Sequence, residues 1–176
     1  MNWKWGGPMN NKCIYYVEGE CEEQLINALK LTPSKLIPGK VRVYNVIQKL
    51  ITKSQLLMIQ PGTMVTFVFD TDVPVTEFLQ KNIALLGKYC GRVIIVYLPQ
   101  VLNLEDELVR CSDVRAAEEL TKSKGRKNFK ADFCRLKVQE CRNTLERHHL
   151  SVERLWVTKV PEAFSFAKYN ADLIKQ

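Results

Sequence analysis

The chain contains no CxxC pair. Its six cysteines stand singly at 13, 21, 90, 111, 134 and 141. Zinc sites draw on close-spaced ligand pairs, so a structural zinc is not expected. Disulfides are not expected either, because a chain of 176 residues can bury a core without staples and several cysteines sit within apolar patterns. All six read as reduced, and Cys21, near a helix start and beside Glu18, is the one whose place would suit a thiolate. Long hydrophobic runs are also missing. None approaches the roughly 18 residues of a membrane helix, so no membrane partner is expected. The opening MNWKWGGPMNNK lacks the apolar centre of a secretory signal. Residues 1–11 read as a poorly patterned leader and the chain as cytoplasmic. No linker, low-complexity tract or repeat divides residues 12–176, which read as a single domain. Trp3, Trp5 and Trp156 show no regular spacing of the kind that stacks bases and are assigned to packing or partner contact.

Charge of one sign is in excess. The net charge is +7, which suits a polyanionic partner such as nucleic acid. From Thr121 to His149 there are nine Lys or Arg against three acids, and Lys122, Lys124, Arg126 and Lys127 form the candidate nucleic-acid-binding group. His148 and His149 end a helix, where cations complement the dipole, and receive no catalytic role.

Hydrophobic patterning predicts α/β alternation. CIYYVEG reads as a strand that exits at Gly19, and Glu20 to Leu31 as a short helix closed by Thr32-Pro33. Val41, Val43 and Val46-Ile47 mark a second strand. VTFVF (65–69) and RVIIVYL (92–98) read as fully buried strands. Between them, Pro74 to Gly87 carries Val75, Phe78, Leu79, Ile83 and Leu86 at helical spacing. Unbroken apolar strands alternating with helices fit a mainly parallel, Rossmann-like sheet covered on both faces. A core of about 12–100 is then followed by a helical insert of about 101–150, with helices near 104–111, 113–121 and 128–148. The last part, 151–176, is expected to supply a final strand, RLWVTKV (154–160), and a tail.

Acids stand where two buried strands end: Glu18 after the first, Asp70 and Asp72 after VTFVF. Ligands of open α/β sheets collect beyond the carboxyl ends of strands. If these strands are neighbours, three carboxylates meet there and repel one another unless a cation stands between them. Hard oxygen donors select Mg²⁺ or Mn²⁺, and such a cation serves phosphodiester chemistry. Glu18 alone, or the pair Asp70 and Asp72 alone, has an ordinary explanation as turn or helix-start residues; together they predict a metal site of Glu18, Asp70 and Asp72.

YYVEGECEEQLINAL followed by FVFDTDV resembles the TOPRIM domain, the α/β metal-binding domain of topoisomerases, primases and OLD-type and stand-alone phage-defence nucleases. The Val-Glu-Gly-x-x-Glu form, with its later acid assigned to Glu23, is nearer the OLD-type branch, and the resemblance covers roughly residues 12–100. It implies a Mg²⁺-dependent nuclease of DNA or RNA in a phage-defence setting, with Glu18 as metal ligand or general acid/base and Asp70 and Asp72 as ligands. The glycines that flank D-x-D in topoisomerases are missing, which argues against strand passage. No GxxxxGK[ST] loop is present, so the ATPase of OLD proteins would have to be a separate partner. Of Glu105 and Glu107, Glu105 better resembles the further acid of stand-alone TOPRIM proteins. Lys130, ahead of Lys124, is the candidate to neutralise charge on a phosphate. Two other readings stay open: a catalytically silent module that binds nucleic acid or an ATPase partner, and a nucleotidyl transferase. A homodimer is left open.

Overall fold

The computed structural model describes residues 12–176; the segment expected to be a leader, with Trp3 and Trp5, lies outside the described residues. Four strands, β1 (Cys13–Val17), β2 (Gly39–Val43), β3 (Met64–Asp70) and β4 (Ile94–Gln100), form one sheet in the order β2-β1-β3-β4, and every pairing is parallel. Seven α-helices accompany it among the described residues: α1 (Glu20–Lys30), α2 (Lys53–Leu57), α3 (Glu77–Tyr89), α4 (Leu104–Cys111), α5 (Glu118–Thr121), α6 (Arg126–Arg135) and α7 (Val138–Arg147). This is a Rossmann-like α/β fold.

Alternation along the strands sorts their side chains onto two faces. Tyr15, Val17, Val68, Val96 and Leu98 pack with α1, α4, α6 and α7 in one core. Tyr16, Val65, Phe67 and Phe69 face the other way and pack with α2 and α3. Both faces are therefore dry, which is why the strands carry apolar residues at consecutive positions rather than at alternate ones. Gly39 is needed where β2 starts, because a Cβ there would collide with the backbone of Cys13.

β2 ends at Val43, earlier than the expected Ile47. The Asn45 side chain accepts hydrogen bonds from the N–H groups of Ile47 (3.0 Å) and Gln48 (3.1 Å), folding the chain into a turn before it can extend. α3 runs through the expected stop at Gly87 to Tyr89 and is capped at Cys90, whose N–H donates to the Leu86 carbonyl. The segment 113–121 is helical only as α5, and the helix expected over 128–148 is two helices. Leu136 takes an extended conformation between them; its carbonyl accepts from Gln24 Nε2 at 2.5 Å, and Glu140 caps the N–H of Lys137 at 3.0 Å. The side chain of Gln24 on α1 thus replaces a helical hydrogen bond and turns α7 away from α6.

The expected final strand over 154–160 is not formed. Val152–Arg154 is a 3₁₀ turn, and Trp156 sits at φ 61°, outside any strand conformation. Buried Glu107 holds it there, accepting from the Trp156 N–H at 2.5 Å while its second oxygen pairs with Arg110 at 2.5 Å. The edge of β4 is closed instead by one side chain. Asn170 accepts from the Tyr97 N–H (2.9 Å) and donates to the Ile95 carbonyl (2.8 Å), satisfying the groups a fifth strand would have taken. Among the described residues, no helix is long and apolar enough to cross a membrane.

Candidate functional site

Because β1 and β3 are neighbours in register, with Tyr16 opposite Phe67, their carboxyl ends lie side by side. Glu18 leaves β1 there and Asp70 ends β3. One Glu18 oxygen accepts from the Asp70 backbone N–H at 3.3 Å and the other from Asn45 Nδ2 at 2.8 Å. Asn45 cannot turn freely, since its carbonyl oxygen is held by two backbone N–H groups. Its amide therefore presents a fixed donor to Glu18. Asn45 is not among the residues expected from the sequence; the signal for it is an Asx turn shortly after the β-branched residues of β2.

A cleft of about 340 Å³ opens at this end of the sheet, lined by Glu18 and Asp70, by the start of α1 and by Lys130, Ala131 and Cys134 of α6. Glu22 lines it as well. The later acid of Val-Glu-Gly-x-x-Glu falls on Glu22 when counted from Glu18, and Glu22, not Glu23, is the buried one facing Glu18. Glu22 is fixed by accepting from the Gly19 N–H at 2.9 Å, the return arm of a capping box. That motif, Gly-x-x-Glu at a helix start, was visible in the sequence.

Asp72 is placed differently. It is exposed and lines an adjoining cleft of about 320 Å³ with Gln48, Val73 and Phe78. Glu18 and Asp70 belong to both clefts and form the wall between them. Among the described residues, no three His, Cys, Asp or Glu side chains stand together in a ready metal-holding group. A hollow of about 450 Å³ at the opposite edge, around Lys12, Pro38 and Thr63, has no acidic lining.

The electrostatics of the first cleft are strained. Burial, followed by the charges of Glu18, Glu22 and Asp72, pushes the Asp70 carboxyl up to about 8. Asp70 Oδ1 is buried without a hydrogen-bond partner. Burial and then Glu18 raise the Glu22 carboxyl as well. Lys130 is the countercharge. Burial works against its ammonium, but Glu105, Glu22 and Asp70 outweigh that and raise its pKa. Lys130 reaches Glu105 Oε1 at 3.5 Å, so Glu105 of α4 joins the cleft through this pair. Glu107 does not, being committed to Arg110 and Trp156 in the core.

Cys21 and Cys134 also border the cleft, their sulfurs 2.8 Å apart. Cys21 does not carry the lowered pKa its position suggested. Burial and the neighbouring Cys134 raise it, and burial raises Cys134 too. The carboxylates of Glu18, Glu22 and Asp70 are hard oxygen donors of the kind that suit Mg²⁺ or Mn²⁺. A divalent cation also fits the electrostatics, because it would relieve the repulsion that burdens Asp70.

Lys122, Lys124, Arg126 and Lys127 are exposed around the start of α6, the helix that carries Lys130. Among the described residues none of the four forms an ion pair. Comparison with family models, with curated proteins and with solved structures gave no match.

Proposed function

We propose that this chain is a TOPRIM-like, Mg²⁺-dependent phosphodiesterase that cleaves nucleic acid at the cleft between β1 and β3. The observation that carries the reading is the crowding of Glu18, Glu22 and Asp70, with one Asp70 oxygen buried and unpartnered. Such an arrangement is costly on its own and is relieved by a hard cation. Glu18, Asp70 and Glu22 line the cleft without forming a ready metal-holding group and would hold it once their side chains turn toward it. When bound, Mg²⁺ supplies Lewis-acid polarisation of the phosphate and acidifies water.

The remaining work falls to side chains of this chain. Asn45 and the Asp70 N–H hold Glu18 at a fixed angle. Glu105 steadies Lys130 at the rim, where its ammonium offsets charge on the phosphate as the bond to the leaving oxygen breaks. The basic group around the start of α6 draws the polyanion in. Arg126 and Lys127 occupy the first turn of α6, where the helix dipole disfavours cations, and an approaching phosphate backbone compensates that cost. Asp72, from the adjoining cleft, supplies charge at the mouth. The resemblance adds a separate ATPase as partner and phage defence as setting.

The test is cleavage of plasmid DNA and of tRNA with Mg²⁺ or with EDTA. Cleavage lost in EDTA, and lowered at least about a hundredfold by Glu18→Ala or Asp70→Ala, supports the reading; equal cleavage with and without the chelator removes it. A second reading is a binding module without catalysis, and the outward position of Asp72 favours it. In that case the protein binds nucleic acid in a salt-dependent manner that Mg²⁺ does not alter.

A further inference from the structure

Gln100 ends β4 and is 0 % exposed, yet among the described residues neither its Oε1 nor its Nε2 has a hydrogen-bond partner. Buried polar groups are seldom left unpaired, because the hydrogen bonds to water lost on burial are then not replaced. The sheet register sets Gln100 opposite Asp70. Register-paired residues of neighbouring parallel strands project to the same face. Val96 and Leu98 and their partners on β3 show which face this is, the one covered by α1 and α6. Gln100 therefore stands beside Asp70, on the cleft side of the sheet.

Asp70 is in the complementary condition. Its Oδ1 is a buried acceptor without a donor, while Gln100 Nε2 is a buried donor without an acceptor. The backbone between them is pinned, since the Gln100 carbonyl accepts from both the N–H (3.1 Å) and the hydroxyl (3.3 Å) of Thr71. With the two backbones held side by side, side-chain torsions are what would bring the two orphans together.

We propose that Gln100 is a positioning residue of the cleft: its Nε2–H donates to Asp70 Oδ1 and turns the other Asp70 oxygen toward the divalent cation. The inference rests on the metal reading given above and adds to it a residue that touches neither cation nor phosphate. Hydrogen-bonded supports of this kind govern metal affinity because they fix the ligand's orientation before binding. A glutamine serving only the fold would behave in the opposite way.

The experiment compares the wild-type chain, Gln100→Met and Asp70→Asn in two measurements: Mn²⁺ titration by calorimetry, and the melting temperature of the metal-free protein. Methionine keeps the length of the side chain and removes both unpaired atoms. The expected result is Mn²⁺ binding weakened about tenfold or more in Gln100→Met, with a metal-free melting temperature equal to or above that of the wild type. Mn²⁺ affinity equal to the wild type, with or without a lower melting temperature, would overturn the proposal. If Gln100→Met does not fold, Gln100→Leu is read in the same way. A wild type that does not bind Mn²⁺ overturns the metal reading itself. A wild type that binds, with Asp70→Asn weak and Gln100→Met unaffected, overturns only the role of Gln100.

Discussion

Burial and three neighbouring carboxylates make Asp70 the residue whose protonation most affects the cleft. Its carboxyl is raised to about 8, whereas in the unfolded chain it titrates in the ordinary carboxylate range. Between those limits the folded chain keeps a proton that the unfolded chain has lost. The Asp70 contribution therefore makes stability fall as pH rises toward about 8 and level off above it, by at most about 1.4 kcal/mol per pH unit. Asp70→Asn should flatten this part of the slope, as urea unfolding from pH 5 to pH 8 would show; an unchanged slope would place Asp70 in a wetter site than the geometry gives. Mg²⁺ must displace the same proton, so its apparent affinity should rise with pH over the same window. The thiols at the cleft behave differently. Because burial raises both Cys21 and Cys134, iodoacetamide at pH 7 should leave them largely unmodified in the native protein. Mass spectrometry of the alkylated chain reads this directly, and rapid labelling of Cys21 would contradict it.

At the scale of elements, the three apolar strands were legible because they are buried on both faces, and such burial leaves an unbroken apolar run; the bounds of β4 were not, since it runs from Ile94 through Pro99 to Gln100 rather than over 92–98. β2 was legible only in part, since the side chain of Asn45 ends it and no periodicity reports that. The region after α7 was misread for a related reason. Leu155, Trp156 and Val157 look like strand residues, but Trp156 is anchored by Glu107 from α4, a contact 49 positions away in sequence. Glu107→Ala should be severe. It leaves Arg110 without its carboxylate partner and the Trp156 N–H unpaired, a loss of about 3 kcal/mol or more in urea unfolding. Glu105→Ala, by contrast, frees an exposed lysine and should cost little stability while lowering cleavage. Similar stability losses for the two variants would show that the division between core acid and cleft acid is mistaken.

For the whole molecule, the parallel order β2-β1-β3-β4 is what brings the acids of β1 and β3 together. The sequence pattern supplied the strand ends, but only the topology could make them adjacent. It also decided which acids share a cleft. Glu22 enters by the capping geometry at the start of α1, whereas Asp72 lies in the bend that follows β3 and opens onto the neighbouring hollow. Gln100 gave no signal, because a glutamine after an apolar run reads as the residue where a strand meets water. The same arrangement sets the basic group of α6 beside the cleft, so charge and chemistry are separable. Replacing Lys124, Arg126 and Lys127 by glutamine should weaken nucleic-acid binding strongly at low salt and reduce the slope of log K against log salt by up to about 2–3. Mn²⁺ affinity should be unchanged. A salt slope equal to that of the wild type would move the nucleic-acid path elsewhere on the surface.

Anomalous diffraction from crystals soaked in Mn²⁺ locates the cation. The expected result is a peak in the cleft between β1 and β3, at about 2.1 Å from carboxylate oxygens of Glu18 and Asp70, and no such peak in Asp70→Asn. Saturating Mn²⁺ that leaves this cleft without a peak in the wild-type crystal would contradict it.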